Sequence, residues 1–452
     1  MAKINNLTEG KVSTVLLSFF FPMLLTNLLQ QLYAFADTAI IGKGIGDNAL
    51  AAVGNMSALT LLIIGFSQGI TNGFSVIIAQ NFGSGDSSEL RRSIAMSIKI
   101  SAVLSLIMTI CSIISLKSIL LIMQTNHAIL GEGLRYGSVL FGGLTATMAY
   151  NLCSCILRAL GDSKTPFLAI TASSVLNILL DCLFIFVLKT GVSGAAAATV
   201  FSQIISVIIC MIRLRKTESI RLIRTDFNGG CRLSLTLLKN GIPMACMNSV
   251  TAVGCMIVQS RVNALGVVYT SAYSAGNKYV SLFMLPAVTA GFAVSAFTSQ
   301  NYGARKYHRI KAGIRVGLII GVVSYLILGG VMLLIPETLA SLMLNGRESI
   351  RLTAAFLRIC GSQFFTLNFL FVYRSGVQGM GKPFIPMCSG LLEMALRIGV
   401  IAIFLPQAGF SATAYAETAA WSGALIMNMI ACHCIIKHNV IDNSLSHSLR
   451  QE

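Results

Sequence analysis

The sequence predicts an all-α integral membrane protein with twelve transmembrane helices arranged as two parallel six-helix repeats. Three observations carry this prediction: a shortage of charge, a series of long apolar stretches and an internal repeat. Of the 452 residues, 55% are hydrophobic and 11% are charged, and the mean hydropathy is +0.78. Soluble domains carry about 25% charged residues, so this chain has too few ionisable side chains for a polar shell. Lipid can replace that shell.

A helix needs about 20 mostly apolar residues to cross a bilayer. The first such stretch follows Lys3 closely, but it continues past Leu28 without a small-residue cleavage site. We therefore interpret it as a retained first helix rather than a signal peptide. Twelve stretches qualify, centred near Leu25, Ile63, Leu104, Leu144, Leu176, Ile205, Val253, Leu285, Ile320, Phe365, Val400 and Met427.

The basic surplus predicts membrane orientation. The formal net charge is +17, and most Lys and Arg fall on one side if the helices alternate from a cytoplasmic N-terminus. Such a bias is typical of cytoplasmic loops. We expect both termini in the cytoplasm, contacts with membrane lipid including anionic head groups, and no nucleic-acid partner.

The two halves repeat at an offset of about 220 residues, as expected for a duplicated transporter fold. An even number of helices per half places both halves in the same orientation. The matching segments are Pro22-Met23 and Pro243-Met244, Gly54-Asn55 and Gly276-Asn277, Gln80-Asn81-Phe82-Gly83 and Gln300-Asn301-Tyr302-Gly303, and the loops at Gly161–Phe167 and Gly381–Phe384.

This repeat divides the chain into four parts. We expect an N-terminal six-helix lobe over residues 1–212 and a basic cytoplasmic linker over 213–239. A C-terminal six-helix lobe over 240–436 and a cytoplasmic tail over 437–452 follow. Two similar lobes with a cleft between them suit alternating access better than they suit a receptor.

Polar residues inside the first repeat predict a cation site. A charge in the hydrocarbon region costs about 2.5–3.5 kcal/mol, so each one is a functional hypothesis. The fifth stretch carries Asn177 and Asp181 on one face, and the first carries Asp37. The fourth and sixth add Asn151 and Thr199. These side chains supply only oxygen ligands for a cation, which suits a proton or a hard cation.

The second repeat carries a different set at the corresponding positions. Glu393 replaces Asn177, Arg397 replaces Asp181 and Glu417 replaces Thr199. Glu393 and Arg397 stand in the favourable i, i+4 order for an ion pair. We favour a structural role for this set, because it can neutralise much of its own charge.

Two alternatives to a cation site stay open for the first repeat. Asp37 lies about ten residues from the outer loop and could face water there. Asp37 and Asp181 could also lie far apart, each capped by backbone or water.

The sequence offers no enzyme motif. There is no Ser/His/Asp arrangement, no His-Glu-x-x-His and no phosphate-binding loop. Most of the 12 cysteines lie in apolar stretches, where cysteine behaves as a small hydrophobe. We predict no metal site except for Na⁺ at the first-repeat residues, and no cofactor.

Several motifs together resemble the MATE (multidrug and toxic compound extrusion) family over nearly the whole chain. Each is weak alone, but they occur in the correct halves. They are Pro22–Tyr33, Ala36-Asp37-Thr38, Gly42, Ala51-Ala52-Val53-Gly54, the paired Gln80–Gly83 and Gln300–Gly303 segments, and Arg158–Asp162 with Lys164 and Pro166.

This resemblance implies a V-shaped, two-lobed exporter that expels cationic amphipathic drugs and toxins in exchange for Na⁺ or H⁺. It implies a bacterial or archaeal cytoplasmic membrane, and a two-lobed transporter can work as a monomer. In one branch of the family the cation site lies in the N-terminal lobe, at residues matching Asp37, Asn151, Asn177, Asp181 and Thr199. Other branches use acidic residues on the seventh and tenth helices. Here Gln259, Arg261, Tyr373 and Arg374 stand there instead.

The main alternative is a lipid-linked oligosaccharide flippase of the same superfamily. Such a flippase would line its cleft with Arg and Lys to bind pyrophosphate. The buried charge in the first repeat is acidic, which favours a cationic substrate.

Overall fold

The structure is a computed structural model that describes residues 6–123, 125–217, 220–228 and 230–448. The outermost residues of the expected first lobe and tail (1–5 and 449–452) and linker residues 218, 219 and 229 lie outside this part. Every regular element in the described ranges is helical. The prediction of an all-α membrane fold is confirmed.

Within the described residues, the first half contains seven α-helices with short non-α segments among them. A π-helical turn, Cys182–Val187, continues the sixth helix, and a 3₁₀ turn, Arg224–Asn228, lies in the linker. The α-helices are α1 (Val12–Gly44), α2 (Asp47–Ser84), α3 (Ser87–Ile122), α4 (His127–Gly142), α5 (Leu144–Ala159), α6 (Lys164–Asp181) and α7 (Val192–Arg215).

The part of the second half that the structure describes contains ten α-helices, and again a π-helical turn, Tyr325–Gly329, interrupts one span. They are α8 (Gly230–Asn263), α9 (Val267–Phe283), α10 (Leu285–Gly303), α11 (Tyr307–Ser324), α12 (Gly330–Leu334), α13 (Pro336–Ser341), α14 (Arg347–Ser362), α15 (Phe364–Gly379), α16 (Phe384–Ala408) and α17 (Ser411–Ser448).

These helices account for the predicted membrane spans. In the described residues, ten helices are long and apolar enough to cross a bilayer, or up to 12 if each of two bent pairs is one span. The bent pairs are α4 with α5, at 45°, and α14 with α15, at 50°. They occupy the fourth and tenth positions, which correspond in the two repeats. The chain is a multi-pass membrane protein.

The chain forms two compact units. Among the described residues, one comprises residue 6 and residues 21–245, and the other comprises residues 7–20 and 246–448. The chain therefore passes from one unit to the other within α1 and again within α8. Fully buried aromatic side chains lie in each interior: Phe74 and Phe141 in the first unit, Tyr273 and Phe356 in the second.

Glycine ends the fourth span and its repeat counterpart in the same way. Gly161 and Gly381 both have positive φ, 86° and 73°. Glycine adopts this left-handed conformation without a Cβ clash, so it terminates helices well. After the first of these turns, the Asp162 carboxylate accepts from the Thr165 backbone N–H at 3.0 Å, near the start of α6. Arg213 at the end of α7 donates to the same carboxylate at 3.0 Å, which holds the ends of α6 and α7 together.

Candidate functional site

Two carboxyl groups from distant parts of the sequence meet in the first unit. Asp37 on α1 and Asp181 on α6 lie within hydrogen-bonding reach of each other. Asp181 is fully buried, whereas Asp37 is partly exposed. The possibility that the two acids lie far apart is therefore excluded by this geometry.

Asn177 connects this acid pair to the next helix. It lies one turn before Asp181 on α6, and it is also fully buried. With its amide group oriented to suit both neighbours, its nitrogen donates to Asp181 Oδ2 at 2.9 Å. Its oxygen then accepts from the backbone N–H of Thr199 at 3.2 Å. Asn177 and Asp181, which are at i and i+4 in the sequence, are therefore in direct contact.

Thr199 reaches the pair because α7 begins with small residues. Gly194 and Ala195–Ala198 let the backbone of α7 come close to α6, as small residues do at membrane helix interfaces. The Thr199 hydroxyl donates to the Ala195 carbonyl at 3.1 Å. It also lies within hydrogen-bonding reach of the Tyr33 hydroxyl from α1.

Several polar atoms of this site have no hydrogen-bond partner among the described residues. They are Oδ1 of Asp37, Oδ1 of Asp181 and Nδ2 of Asn151. A buried polar atom without a partner is unfavourable, so the two carboxylate oxygens are available to bind a proton or a cation. No group of three or more His, Cys, Asp or Glu suited to a metal occurs within the described ranges. The donor set is a pair of carboxylates with amide and hydroxyl oxygens, which fits a hard monovalent cation or a proton.

Asn151 lies beside the acid pair rather than against it. It lines a polar cavity of about 150 Å³ in the first unit, together with Gln30, Gln68 and Gln203. Tyr33 lines the same cavity and also lies near Asp37 and Asp181. Tyr33 is therefore a neighbour of both the cavity and the acid pair, while Asp37, Asp181, Asn177 and Thr199 form one cluster.

The second unit holds a buried network of four charges. Glu393 on α16 pairs with Arg374 on α15, and also lies 3.7 Å from Arg397 Nη2 one turn along α16. Arg397 Nη2 lies 3.0 Å from Glu417 Oε2 on α17. All four side chains are buried. The three residues predicted from the sequence are therefore in contact, and their charges are balanced only when Arg374 is included.

Three side chains around these sites were missed from the sequence. Tyr33 and Tyr136 surround the acid pair, and Arg374 completes the second network. Arg374 lies over a turn inside α15 and is only 6% exposed. The available signal was the charge of the predicted set, in which Glu393 and Glu417 share a single arginine, Arg397. A surplus buried carboxylate is unfavourable without a positive partner, so a second arginine was to be expected.

Comparison with known proteins gives the family. The MatE family profile matches residues 22–183 and 243–403, which are the two repeats. A Bacillus subtilis protein named as a probable multidrug resistance protein, YoeA, is 30% identical over 353 residues, covering 75% of each chain. The chain therefore belongs to the MATE family of multidrug efflux transporters, and it is a transporter rather than an enzyme.

Two further proteins are similar to this chain, one in sequence and one in fold. A protein of Shewanella oneidensis named as a FAD transporter is 20% identical over 407 residues, covering 87% of this chain and 88% of that protein. A crystal structure described as MATE in the bent conformation superposes with a TM-score of 0.91 at 22% identity. It covers 97% of this chain and 98% of that one. At this identity the structural match shows the fold alone.

Proposed function

We propose that this transporter exports cationic amphipathic compounds by antiport with Na⁺ or H⁺, through alternating access of its two repeats. One observation carries the proposal: the fully buried Asp181 and the partly exposed Asp37 form a pair of carboxyl groups with no Lys or Arg counter-ion within the described residues. Two neighbouring carboxylates in a low-dielectric interior require a positive partner. An exchangeable cation supplies it.

Each residue of the cluster has a distinct part in this proposal. Asp37 and Asp181 hold the coupling ion through their unpaired oxygens. Asn177 fixes the Asp181 carboxylate by donating to its other oxygen. Thr199 and Tyr33 add hydroxyl groups, and Asn151 offers an amide in the adjoining cavity through which an ion can approach.

The second network is proposed as structural. Two arginines and two glutamates carry no net charge together, so they need no exchangeable ion. The acidic residues that other branches place on the seventh and tenth helices are replaced here. We therefore propose a single coupling site, in the first unit.

The distribution of Lys and Arg supports an orientation with both termini in the cytoplasm. We further propose a location in a bacterial or archaeal cytoplasmic membrane, a monomer as the working unit and no cofactor apart from the coupling ion. The cationic character of the substrate follows from the acidic charge of the first unit.

The test is efflux of a fluorescent lipophilic cation from liposomes containing the purified protein. A Na⁺ gradient and a proton gradient are imposed separately, and Asp37→Asn is compared with the wild type. We expect one gradient to drive efflux and the variant to lose that response, because it removes half of the acid pair. Glu132→Gln, which changes a carboxylate on α4 outside the cluster, serves as the matched control.

Two outcomes would contradict the proposal. Wild-type efflux by Asp37→Asn, with the same ion dependence, would exclude the acid pair as the coupling site. No efflux of the cation under either gradient, together with transport of a lipid-linked anion, would favour the flippase. Uptake of FAD in the same liposomes would instead extend the substrate range to anions.

A further inference from the structure

A long apolar groove in the first unit lies between α3, α5 and α7. Its volume is about 550 Å³, and residues 220–222 of the linker contribute to its lining. Its walls are mainly aliphatic, with Ile94 and Ile98 from α3, Met148 and Leu152 from α5, and Val207 and Met211 from α7. None of the acid-pair residues lines it, so it is a separate site.

The length of the groove matches one leaflet of a bilayer. On α3 its lining extends from Ile94 to Ser105, and on α5 from Thr145 to Ile156. Eleven residues of helix rise by about 16 Å, and half of a hydrocarbon core is about 15 Å. The groove therefore has the length of a single acyl chain running along the membrane normal.

The groove is open toward the side of the unit that faces lipid. Ile98 and Met211, which line it, are 37% and 41% exposed. Leu106 and Ile212 beside them are exposed apolar side chains, at 59% and 49%. An acyl chain can therefore enter sideways without crossing a polar layer, and dispersion contacts with the aliphatic walls would retain it.

One end of the groove is positively charged. Arg215, at the end of α7, and Arg221, in the linker, both line it there and both are solvent-exposed. Two nearby arginines are already neutralised: Arg213 by Asp162 at 3.0 Å and Arg91 by Asp226 at 3.5 Å. Within the described part of the linker and helices, Arg215 and Arg221 have no such partner. Their charge is available for an anion at the membrane surface.

We propose that this groove binds one anionic phospholipid, with an acyl chain along α3 and α5 and the phosphate head group at Arg215 and Arg221. Charge complementarity selects the head group, and the aliphatic walls hold the chain. A bound lipid would also tie the 220–222 segment to α7, because the same molecule contacts both. The site goes beyond transport of substrate and ion, and it does not depend on the acid pair.

The test is native mass spectrometry of the purified full-length protein titrated with dioleoylphosphatidylglycerol or dioleoylphosphatidylcholine. We expect one phosphatidylglycerol to bind more tightly than phosphatidylcholine. The double variant Arg215→Gln, Arg221→Gln should bind phosphatidylglycerol about thirtyfold more weakly, because each basic residue near a membrane surface contributes about a factor of five. Arg232→Gln, on the exposed basic start of α8, should leave binding unchanged.

A second variant tests the apolar part. Ala102 lines the groove and is exposed, so Ala102→Phe should fill the groove and weaken binding of both lipids. Cys111→Phe, at an exposed position of α3 outside the groove, is its control. Equal losses in Arg232→Gln and in the double variant would overturn the proposal, and so would unchanged lipid binding in Ala102→Phe. Oleate that binds as tightly as phosphatidylglycerol would overturn the assignment to a phospholipid in favour of a free fatty acid.

Discussion

At the scale of single residues, the acid pair differs from an ordinary buried ion pair in having no fixed cation. Asp181 is fully buried, and its carboxylate forms side-chain hydrogen bonds with Asn177 and Asp37. An amide can orient a carboxylate but cannot neutralise it. The charge of the site is therefore left for an exchangeable ion to balance, which is a requirement for coupling.

Asn177 gives a prediction at this scale. Asn177→Leu removes a hydrogen bond to a charged group, which is worth about 1.5–3 kcal/mol. We expect the apparent affinity for the coupling ion to fall by about tenfold or more. The measurement is the dependence of efflux on ion concentration in liposomes.

Asn428→Leu is the matched control for this variant. Asn428 is fully buried in the second unit, and its amide donates to the carbonyl of Ala424 in its own helix at 2.8 Å. Its replacement should change thermal stability without changing the ion affinity. If both variants lower the ion affinity equally, Asn177 does not act at the site.

At the scale of helices, the charge network joins α15, α16 and α17. Arg374 faces Glu393, while Arg397 faces Glu417, so the network consists of two linked pairs rather than one. Removing Glu393 with Arg397, the pair that the i, i+4 spacing indicates, would leave Arg374 and Glu417 without their partners. The balanced change is to remove Arg374 with Glu393.

Arg374→Met should therefore be more destabilising than the double variant Arg374→Met, Glu393→Leu. The single change leaves one surplus negative charge in the interior, which costs about 3–5 kcal/mol, whereas the double change leaves the balanced Arg397–Glu417 pair. The measurement is the midpoint temperature of a detergent melt. A double variant that melts below the single one would contradict the paired arrangement.

Close packing of α2 against the start of α8 gives another prediction. A methyl group at Gly73 would lie 2.4 Å from the Cα atom of Gly241, a backbone atom that cannot move aside easily. Gly73→Ala should therefore destabilise the protein by about 1–3 kcal/mol through overpacking.

Gly54 provides the control on the same helix. A methyl group there meets nothing within 4 Å, so Gly54→Ala should leave stability unchanged or raise it slightly. Both variants are compared in the same detergent melt. Equal midpoints for the two would show that the close contact at Gly73 does not form.

At the scale of the whole molecule, residues 7–20 belong to the unit formed by the second half of the chain. Arg309 holds this segment: its guanidinium donates to the Gly10 carbonyl at 2.8 Å and to the Glu9 carbonyl at 3.1 Å. Its Nε donates to Asn301, whose amide in turn donates to the Leu7 carbonyl at 3.2 Å. The repeated Gln300–Gly303 motif therefore helps to hold the N-terminal segment, through Asn301.

Arg309→Gln should release this segment, because a shorter neutral side chain cannot reach the same carbonyl groups. We expect faster proteolysis and faster hydrogen exchange at residues 7–11, while the helices keep their protection. Arg315→Gln, at an exposed position of the same helix, is the control. Unchanged exchange at residues 7–11 in Arg309→Gln would mean that other contacts hold the segment.

The sequence by itself predicted the membrane class, the repeats and the identity of most cluster residues, because hydropathy and spacing are local properties. It did not predict that the fourth and tenth spans bend without proline, at Gly143 and Gln363. A methyl group at Gly143 would lie 2.2 Å from Val200, so this bend depends on close contact with another helix.

What only the tertiary structure decided is which polar groups meet. Asp37 and Asp181 are 144 positions apart in the sequence. No sequence pattern predicts the spatial distance between two helices that are so widely separated along the chain. The same holds for Arg374, which finds Glu393 because α15 and α16 pack together. The sequence determined that these charges lie in a membrane, where each must be neutralised. Helix packing determined the partner, because a charge in low dielectric is balanced only by a group within a few ångströms.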